Sequence, residues 1–449
     1  MFKPTMGDGV VRWPASVFQR SVVQLDELMP DVMTQPTETM GITVRVRGPL
    51  DLDVLDRAFG ELVARHDLLR TRIVRDDGPV AGTGEVWQEV LPAVPWGEPG
   101  APRLARLPAG DERPVAGGAN WPIPLDDPPL ARAAVVQVDE REHLLGLTLH
   151  HVVSDQSSAA LAMRDLALVY SARVRGATPP PIPLQHGAYA VWQQRRLAER
   201  AGRDQQAWST VLEGVTPPRY GRTLPFRPGT PPVAAHVRQP LLLTADECEA
   251  VAAWSQRRNC TTFATFLAAF ARTLADRTDA RDLPVMSAFE QRDNPAIRNL
   301  PGPFLYPTLL RLPVVDGERD RELVARVRDV VTATFSRAQV TLMDLAIEAP
   351  ALLPGVLGLE PSWLRVFHYQ PGDAVATTFR FGDAVGRAVF NEGRGTHALA
   401  YGAQLYLWHD ADGALVGHLG YDSTELDEPT ATTLLDDWAT TTRSITRLG

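Results

Sequence analysis

Leu147-Thr148-Leu149-His150-His151-Val152-Val153-Ser154-Asp155-Gln156-Ser157-Ser158 is the stretch on which the fold turns. Ahead of it, Leu144-Leu145-Gly146-Leu147-Thr148-Leu149 is a short, mostly apolar run of the length of a buried strand. Behind it, Ser157 and Ser158 offer N-cap hydroxyls to a helix predicted over residues 159–170. Two histidines thus leave a strand and enter a loop that ends at a helix N-terminus. A neutral imidazole there can accept a proton near neutral pH, because its unperturbed pKa is about 6.5. Asp155 can fix the loop by pairing with a cation elsewhere in the fold. A histidine pair at a strand end also has a purely structural reading, so the rest of the chain has to decide.

At 449 residues the chain has room for two core-bearing lobes. Hydrophobic residues at 44% and charged residues at 22% mark a soluble globular protein. A net charge of −9 argues against nucleic acid, which needs a basic face. It still allows a local basic patch that docks an acidic carrier protein. No run approaches the ~20 apolar residues of a membrane span. The first residues, Met1 to Asp8, carry neither an apolar core nor a cleavage site, so a cytoplasmic location is expected. Cys248 and Cys260 are too few for a disulfide framework and form no zinc pattern, so reduced thiols and no metal site are expected.

Taken in order, Arg12 to Gln19 opens the ordered part, with Ser16 as a helix cap. Residues 41–47 alternate like a half-buried strand. Residues 51–66 place Leu55, Ala58, Phe59 and Leu62 on one helical face. They run into Arg65-His66-Asp67-Leu68-Leu69-Arg70-Thr71 and a strand over residues 72–75. Residues 81–120, rich in Pro and Gly, are expected to wind over the surface. A strand over residues 129–138 precedes the histidine strand. Residues 177–184 form a proline-rich connector, the best linker candidate. Helices are predicted over 185–193 and 204–212, from Thr244 onward, and over 261–271; strands over 240–244 and 283–289. Near the end come Val366-Phe367-His368-Tyr369-Gln370, a strand over 415–422 and a helix over 430–445.

The pattern His150-His151-x-x-x-Asp155 resembles the signature of the condensation-domain superfamily of nonribosomal peptide synthetases, which also includes acyltransferases of the chloramphenicol acetyltransferase type. Four further segments carry the resemblance across nearly the whole chain. Residues 65–71 match Arg-His-x-x-Leu-Arg-Thr with its spacing intact, as packing and bracing residues. Ser16-Val17-Phe18-Gln19 is similar to Ser-x-Ala-Gln, with Phe18 in place of Ala. Gly302-Pro303-Phe304-Leu305-Tyr306 to Arg311 is similar to Gly-x-Phe-x-Asn-x-x-x-x-Arg, with Tyr306 in place of Asn. Residues 185–193 are similar to Tyr-x-Asp-Tyr-Ala-x-Trp-Gln, with His186 for Tyr and Ala188 for Asp. No metalloprotease, nucleophile-elbow or dinucleotide motif competes.

The resemblance implies an α/β (α+β) fold of two chloramphenicol-acetyltransferase-like lobes, residues 1–178 and 179–449, in a V-shaped pseudo-dimer with a central tunnel. It implies a condensation enzyme that moves an acyl group from a carrier-protein phosphopantetheine thioester to an amine or alcohol. His151 is the implied catalytic residue, with His150, Asp155 and Arg292 supporting it; by order and spacing Arg292 is the partner of Asp155. Gln156, Ser157, Tyr306 and His368 are the expected tunnel-lining residues. Gln156 stands where the family usually has Gly, which puts a side chain beside the passage. No permanent cofactor is expected. The expected partners are an acyl- or peptidyl-carrier protein and a small or carrier-bound acceptor, with the chain acting as a free-standing monomer. Two alternatives stay open: a noncatalytic recruitment module, and a coenzyme A-dependent acyltransferase.

Overall fold

The computed structural model describes residues 5–7, 9–28, 39–76, 85–110, 115, 123–125, 127–217, 233–340, 344–345, 349, 351, 365–371, 378–389, 402–410 and 412–447. The chain divides into two compact units. The first comprises Met1–Glu199, Glu290–Leu305 and Val375–Gly395; the second comprises Arg200–Phe289, Tyr306–Ala374 and Thr396–Gly449.

The first unit is built on a six-stranded sheet. Its order is β13 (Thr378–Phe381), β14 (Ala384–Val389), β3 (Thr39–Arg47), β8 (Glu142–His150), β7 (Ala131–Gln137) and β6 (Ala105–Leu107). The histidine-bearing β8 lies inside this sheet, paired antiparallel with β3 and β7. Residues His143 to His150 are all buried, so this strand reads as a nearly continuous apolar run. Helix α2 (Leu52–Arg65) starts where the Asp51 carboxylate accepts the N–H groups of Asp53 and Val54, a standard N-cap. It buries Leu55, Ala58, Phe59 and Leu62, the face read from the sequence. At its end His66 Nε2 lies 2.9 Å from Asp165 Oδ2 on helix α3 (Gln156–Val174), and Arg65 donates to the carbonyl of Pro180 at 2.8 Å. The Arg65-His66 motif therefore braces one helix against the next and ties down the proline-rich connector.

Three expectations need correction. Residues 81–120 do not only wind over the surface: β5 (Val86–Val90) pairs with both β2 (Val10–Pro14) and β4 (Thr71–Arg75) in a second, four-stranded sheet. Its in–out alternation, with Val86, Gln88 and Val90 buried, was hidden between Pro- and Gly-rich flanks. The two helices expected over 185–193 and 204–212 are one, α4 (His186–Leu212). Gly202 inside it costs only about 1 kcal/mol and does not end a helix. The units also do not part at residues 178 and 179. Their boundary falls inside α4, between Glu199 and Arg200, and the late hairpin β13–β14 belongs to the first unit. Val385–Val389 pair with Arg47–Thr43, which covers what would otherwise be an open strand edge.

The second unit holds a six-stranded sheet in the order β11 (Leu305–Pro313), β10 (Asp282–Glu290), β12 (Arg365–Gln370), β15 (Ala403–His409), β16 (Leu415–Asp422) and β9 (Ala234–Leu243). Helices α5 (Ala245–Gln256), α6 (Thr262–Arg277), α7 (Asp320–Phe335) and α8 (Glu428–Arg447) contribute to its apolar core. Trp254, Phe266, Phe270, Phe367 and Trp438 fill that core, each at most 2% exposed. Burying such a side chain contributes roughly 1.5–3 kcal/mol. The helix start predicted at Thr244 is a capping box: Thr244 Oγ1 accepts the Glu247 N–H, and Glu247 Oε2 accepts the Thr244 N–H at 2.9 Å. Cys248 and Cys260 are free thiols; burial pushes Cys248 up to about 11, so it stays protonated and unreactive.

Candidate active site

Strand β8 ends at His150, and a single 3-10 turn, His151–Val153, leads to Asp155. His150 is fully buried, and its Nδ1 accepts the Val152 N–H at 2.9 Å. That nitrogen's lone pair is spent on the backbone. The His151 ring sits differently. Its Nδ1 lies 2.8 Å from the Ser154 carbonyl oxygen, which can only accept, so the proton sits on Nδ1. In the neutral ring this leaves the lone pair on Nε2. The Phe18 ring packs on the imidazole with centroids 4.8 Å apart and planes tilted by 51°.

Asp155 is the N-cap of α3, so the helix starts at Gln156 and not at residue 159. Ser157 and Ser158, expected as caps, lie in its first turn. The Asp155 carboxylate is 1% exposed and fully occupied. Oδ1 accepts the Ser158 N–H at 2.9 Å, the Ser158 hydroxyl at 2.6 Å and Arg292 Nη2 at 2.8 Å. Oδ2 accepts Arg292 Nη2 and the Phe304 N–H, each at 2.9 Å. These donors tie the carboxylate at once to the start of α3, to Arg292 and to the Phe304 backbone.

Arg292 is equally committed. Its Nε donates to Glu290 Oε1 at 2.6 Å, and Nη1 to the carbonyls of Ile297 and Leu300 at 3.2 and 2.5 Å. Nη2 also reaches Ser158 Oγ at 3.1 Å and the Gly302 carbonyl at 3.0 Å. The Phe304 ring lies against the guanidinium, 4.4 Å from Cζ to centroid. Gly302 has to be glycine: a Cβ there would fall 2.8 Å from the Phe304 ring. Its N–H donates to Ser158 Oγ at 2.9 Å. The segment Glu290–Leu305 is thereby bound to the His151 loop through one ion pair, one serine and the Phe304 N–H.

His186 closes the cluster. Its Nδ1 lies 2.9 Å from Gln88 Oε1, and its ring is 5.8 Å from those of Phe304 and Tyr189. Burial, and then the nearby Arg292 charge, push this histidine down to about 3, so it stays neutral.

Gln156 is the first residue of α3; its side chain lies outside the described residues. Ser157 is buried beside it at 8% exposure. Tyr306, on β11 of the second unit, is 1% exposed and shows almost no surface to solvent. His368, on β12 of that unit, keeps part of its surface exposed, yet burial pushes it down to about 4. Its ring is 5.7 Å from that of Tyr406, which stacks on His418 at 4.8 Å. No group of three potential metal ligands occurs among the described residues, nor is any described helix long and apolar enough to cross a membrane. Sequence reasoning missed Ser158 as a bridge to Gly302, Phe304 as a partner of both Asp155 and Arg292, and Phe18 as a neighbour of His151. The contacts of Ser158 and Phe304 link positions more than 130 residues apart, which spacing does not reveal.

Comparison with known proteins identifies a family and a fold. A family model described as "Condensation domain" matches residues 14–352. A linear gramicidin synthase chain of Brevibacillus parabrevis is 26% identical over 434 residues, covering 93% of this chain. Phosphinothricin tripeptide synthetase PhsC of Streptomyces viridochromogenes is 30% identical over 353 residues, 76% of this chain. The chain spans only 8% and 31% of the lengths of these two relatives. The crystal structure of the X-domain from teicoplanin biosynthesis superposes with a TM-score of 0.78 at 23% identity, covering 99% of this chain and 96% of that one. That likeness shows the mixed α/β, chloramphenicol-acetyltransferase-like fold. Carrying this histidine loop and matching the family model over most of its length, the chain belongs to the condensation-domain family of nonribosomal peptide synthesis.

Proposed function

We propose that this chain is an acyltransferase that moves an acyl group from a carrier-protein phosphopantetheine thioester to an amine or alcohol acceptor. Condensation domains are generally acyltransferases and work on carrier-bound phosphopantetheine substrates. The observation that carries the reading here is the His151 ring, with Nδ1–H given to the Ser154 carbonyl and Nε2 left to accept. The acceptor's nitrogen or oxygen attacks the thioester carbonyl carbon, and the new C–N or C–O bond replaces the C–S bond. His151 Nε2 takes the acceptor's proton and returns it to the leaving thiolate. His150, Asp155 and Arg292 hold the loop in which this happens and take no proton. Gln156, one residue after Asp155, is proposed to shape the acceptor's approach, with Ser157, Tyr306 and His368 as further substrate-side candidates. The carrier protein and the small or carrier-bound acceptor are the proposed partners of a monomeric, cytoplasmic enzyme.

The test is to load a carrier protein with an acyl group and incubate it with the chain and a panel of amines and alcohols. Intact-protein mass spectrometry then follows loss of the acyl mass. Discharge with a matching amide or ester identifies the acceptor class. Carrier binding without discharge across the panel would replace this reading with a recruitment module. Discharge of a free coenzyme A thioester at the same rate would replace the carrier as donor.

A further inference from the structure

We propose that Phe18 is a positioning residue for His151: its ring holds the imidazole in the tautomer and orientation that keep the Nε2 lone pair available. The kinetic part of this inference rests on the transfer reading above.

Phe18 lies beside the His151 ring, with centroids 4.8 Å apart. It is 6% exposed and sits in the first turn of helix α1 (Val17–Leu28). That turn is fastened by buried amides. The Ser16 N–H donates to Gln19 Oε1 at 2.9 Å, and the Gln19 N–H points back to Ser16 Oγ at 3.4 Å. The Val17 N–H donates to Gln193 Oε1 at 3.0 Å. Gln19 Nε2 donates to Gln88 Oε1 at 3.3 Å, and Gln88 Nε2 to the Pro14 carbonyl at 2.8 Å. Gln19, Gln88 and Gln193 are each at most 1% exposed. A turn held on three sides by buried, paired groups gives its Phe ring one position.

The consequence falls on His151. One ring atom, Nδ1, is fixed by the Ser154 carbonyl. A single hydrogen bond leaves the imidazole able to rock about it or to flip and exchange tautomers. The Phe18 ring, 4.8 Å away and tilted, occupies the volume such motion needs. Phenylalanine cannot hydrogen-bond the imidazole, so it acts by packing alone. Gln88 also receives His186 Nδ1 at 2.9 Å, and the His186 ring meets Phe304 beside Arg292. The amides that seat Phe18 are thus continuous with the cluster that locks Asp155.

The experiment labels the protein with 15N-histidine and assigns His151 by the signals lost in His151→Gln. Wild type should show Nδ1-protonated His151 with ring protons shifted by the Phe18 ring current. In Phe18→Leu, which keeps apolar volume, and Phe18→Ala, the nitrogen shifts should move toward a tautomer mixture; Phe18→Tyr should keep the wild-type pattern. Turnover should fall about ten-fold in Phe18→Leu with KM nearly unchanged, because a misplaced base loses rate and not binding. An unchanged tautomer in a folded Phe18→Leu overturns the proposal, as does an altered tautomer with unchanged turnover. If wild type transfers nothing, the functional reading fails, while the nitrogen spectra still decide whether Phe18 positions His151. Should Phe18→Ala unfold, Phe18→Leu alone decides.

Discussion

Two arginine–carboxylate contacts of nearly equal length sit in very different surroundings. In the first unit Arg292 lies 2.8 Å from Asp155, with side chains 9% and 1% exposed. In the second, Arg443 lies 2.7 Å from Glu247, with side chains 33% and 31% exposed. Both secure a helix start, since Asp155 caps α3 and Glu247 belongs to the Thr244 capping box. Distance therefore does not rank them. A partly exposed pair is solvated with or without its partner, and its Coulomb gain is small. A buried pair must replace all the water it lost, and Arg292 does so with two carboxylates, three carbonyls and a hydroxyl. The first contact fixes the loop that carries His151. The second fastens the C-terminal helix.

The comparison is sharpened most by Arg292→Ala. It leaves Asp155 buried without its cation, and we expect a stability loss of about 3–5 kcal/mol in denaturant unfolding. Asp155→Ala should also destabilise, by less, because it removes the N-cap of α3 while Glu290 stays on the guanidinium. A loss under about 1 kcal/mol for Arg292→Ala would mean that water reaches the pair.

A smaller effect should appear with pH. His186 is neutral when folded because its pKa is pushed down to about 3, while the unfolded chain titrates near 6.5. Its contribution is fully present above pH 6.5 and is lost as pH falls toward 3, since only the unfolded state takes up the proton in that window. The slope from one such group is at most about 1.4 kcal/mol per pH unit. His186→Gln, neutral throughout, should flatten the pH dependence of stability between pH 6 and 4 by that amount. An unchanged slope would mean that His186 is protonated in the folded protein. The smallest effect belongs to the exposed contact: Glu247→Ala should cost about 1 kcal/mol, the sum of a weak surface pair and part of a cap. Salt should weaken that pair and leave Arg292–Asp155 nearly untouched.

The sequence showed the strands and helices whose periodicity is clean, such as α2 with its Leu55, Ala58, Phe59 and Leu62 face, and β8 with its apolar run. It hid β5, whose alternation is short and lies between proline-rich flanks, and it gave two helices where α4 runs unbroken from His186 to Leu212. At the site, His150, His151, Asp155 and Arg292 stood in readable motifs, and the structure brings Asp155 and Arg292 together. The roles of Ser158 and Phe304 were not readable, because they arise from a chain crossing between residues 155–158 and 302–304. The two-fold use of the Gln88 oxygen, by Gln19 and by His186, was hidden for the same reason. A glutamine in a strand carries no local mark of being a junction. The division into units was misread because compactness follows strand pairing, and β14 pairs with β3 from more than 330 residues away.

The most direct test of the account is the single-turnover rate of acyl-carrier discharge by wild type and His151→Ala, at saturating acceptor. If His151 Nε2 takes the acceptor's proton, the substitution should lower the rate by about 10²–10⁴-fold, with carrier binding unchanged. Equal rates in the two proteins would contradict the assignment of His151 and, with it, the reading of the buried cluster as a device for holding that histidine in place.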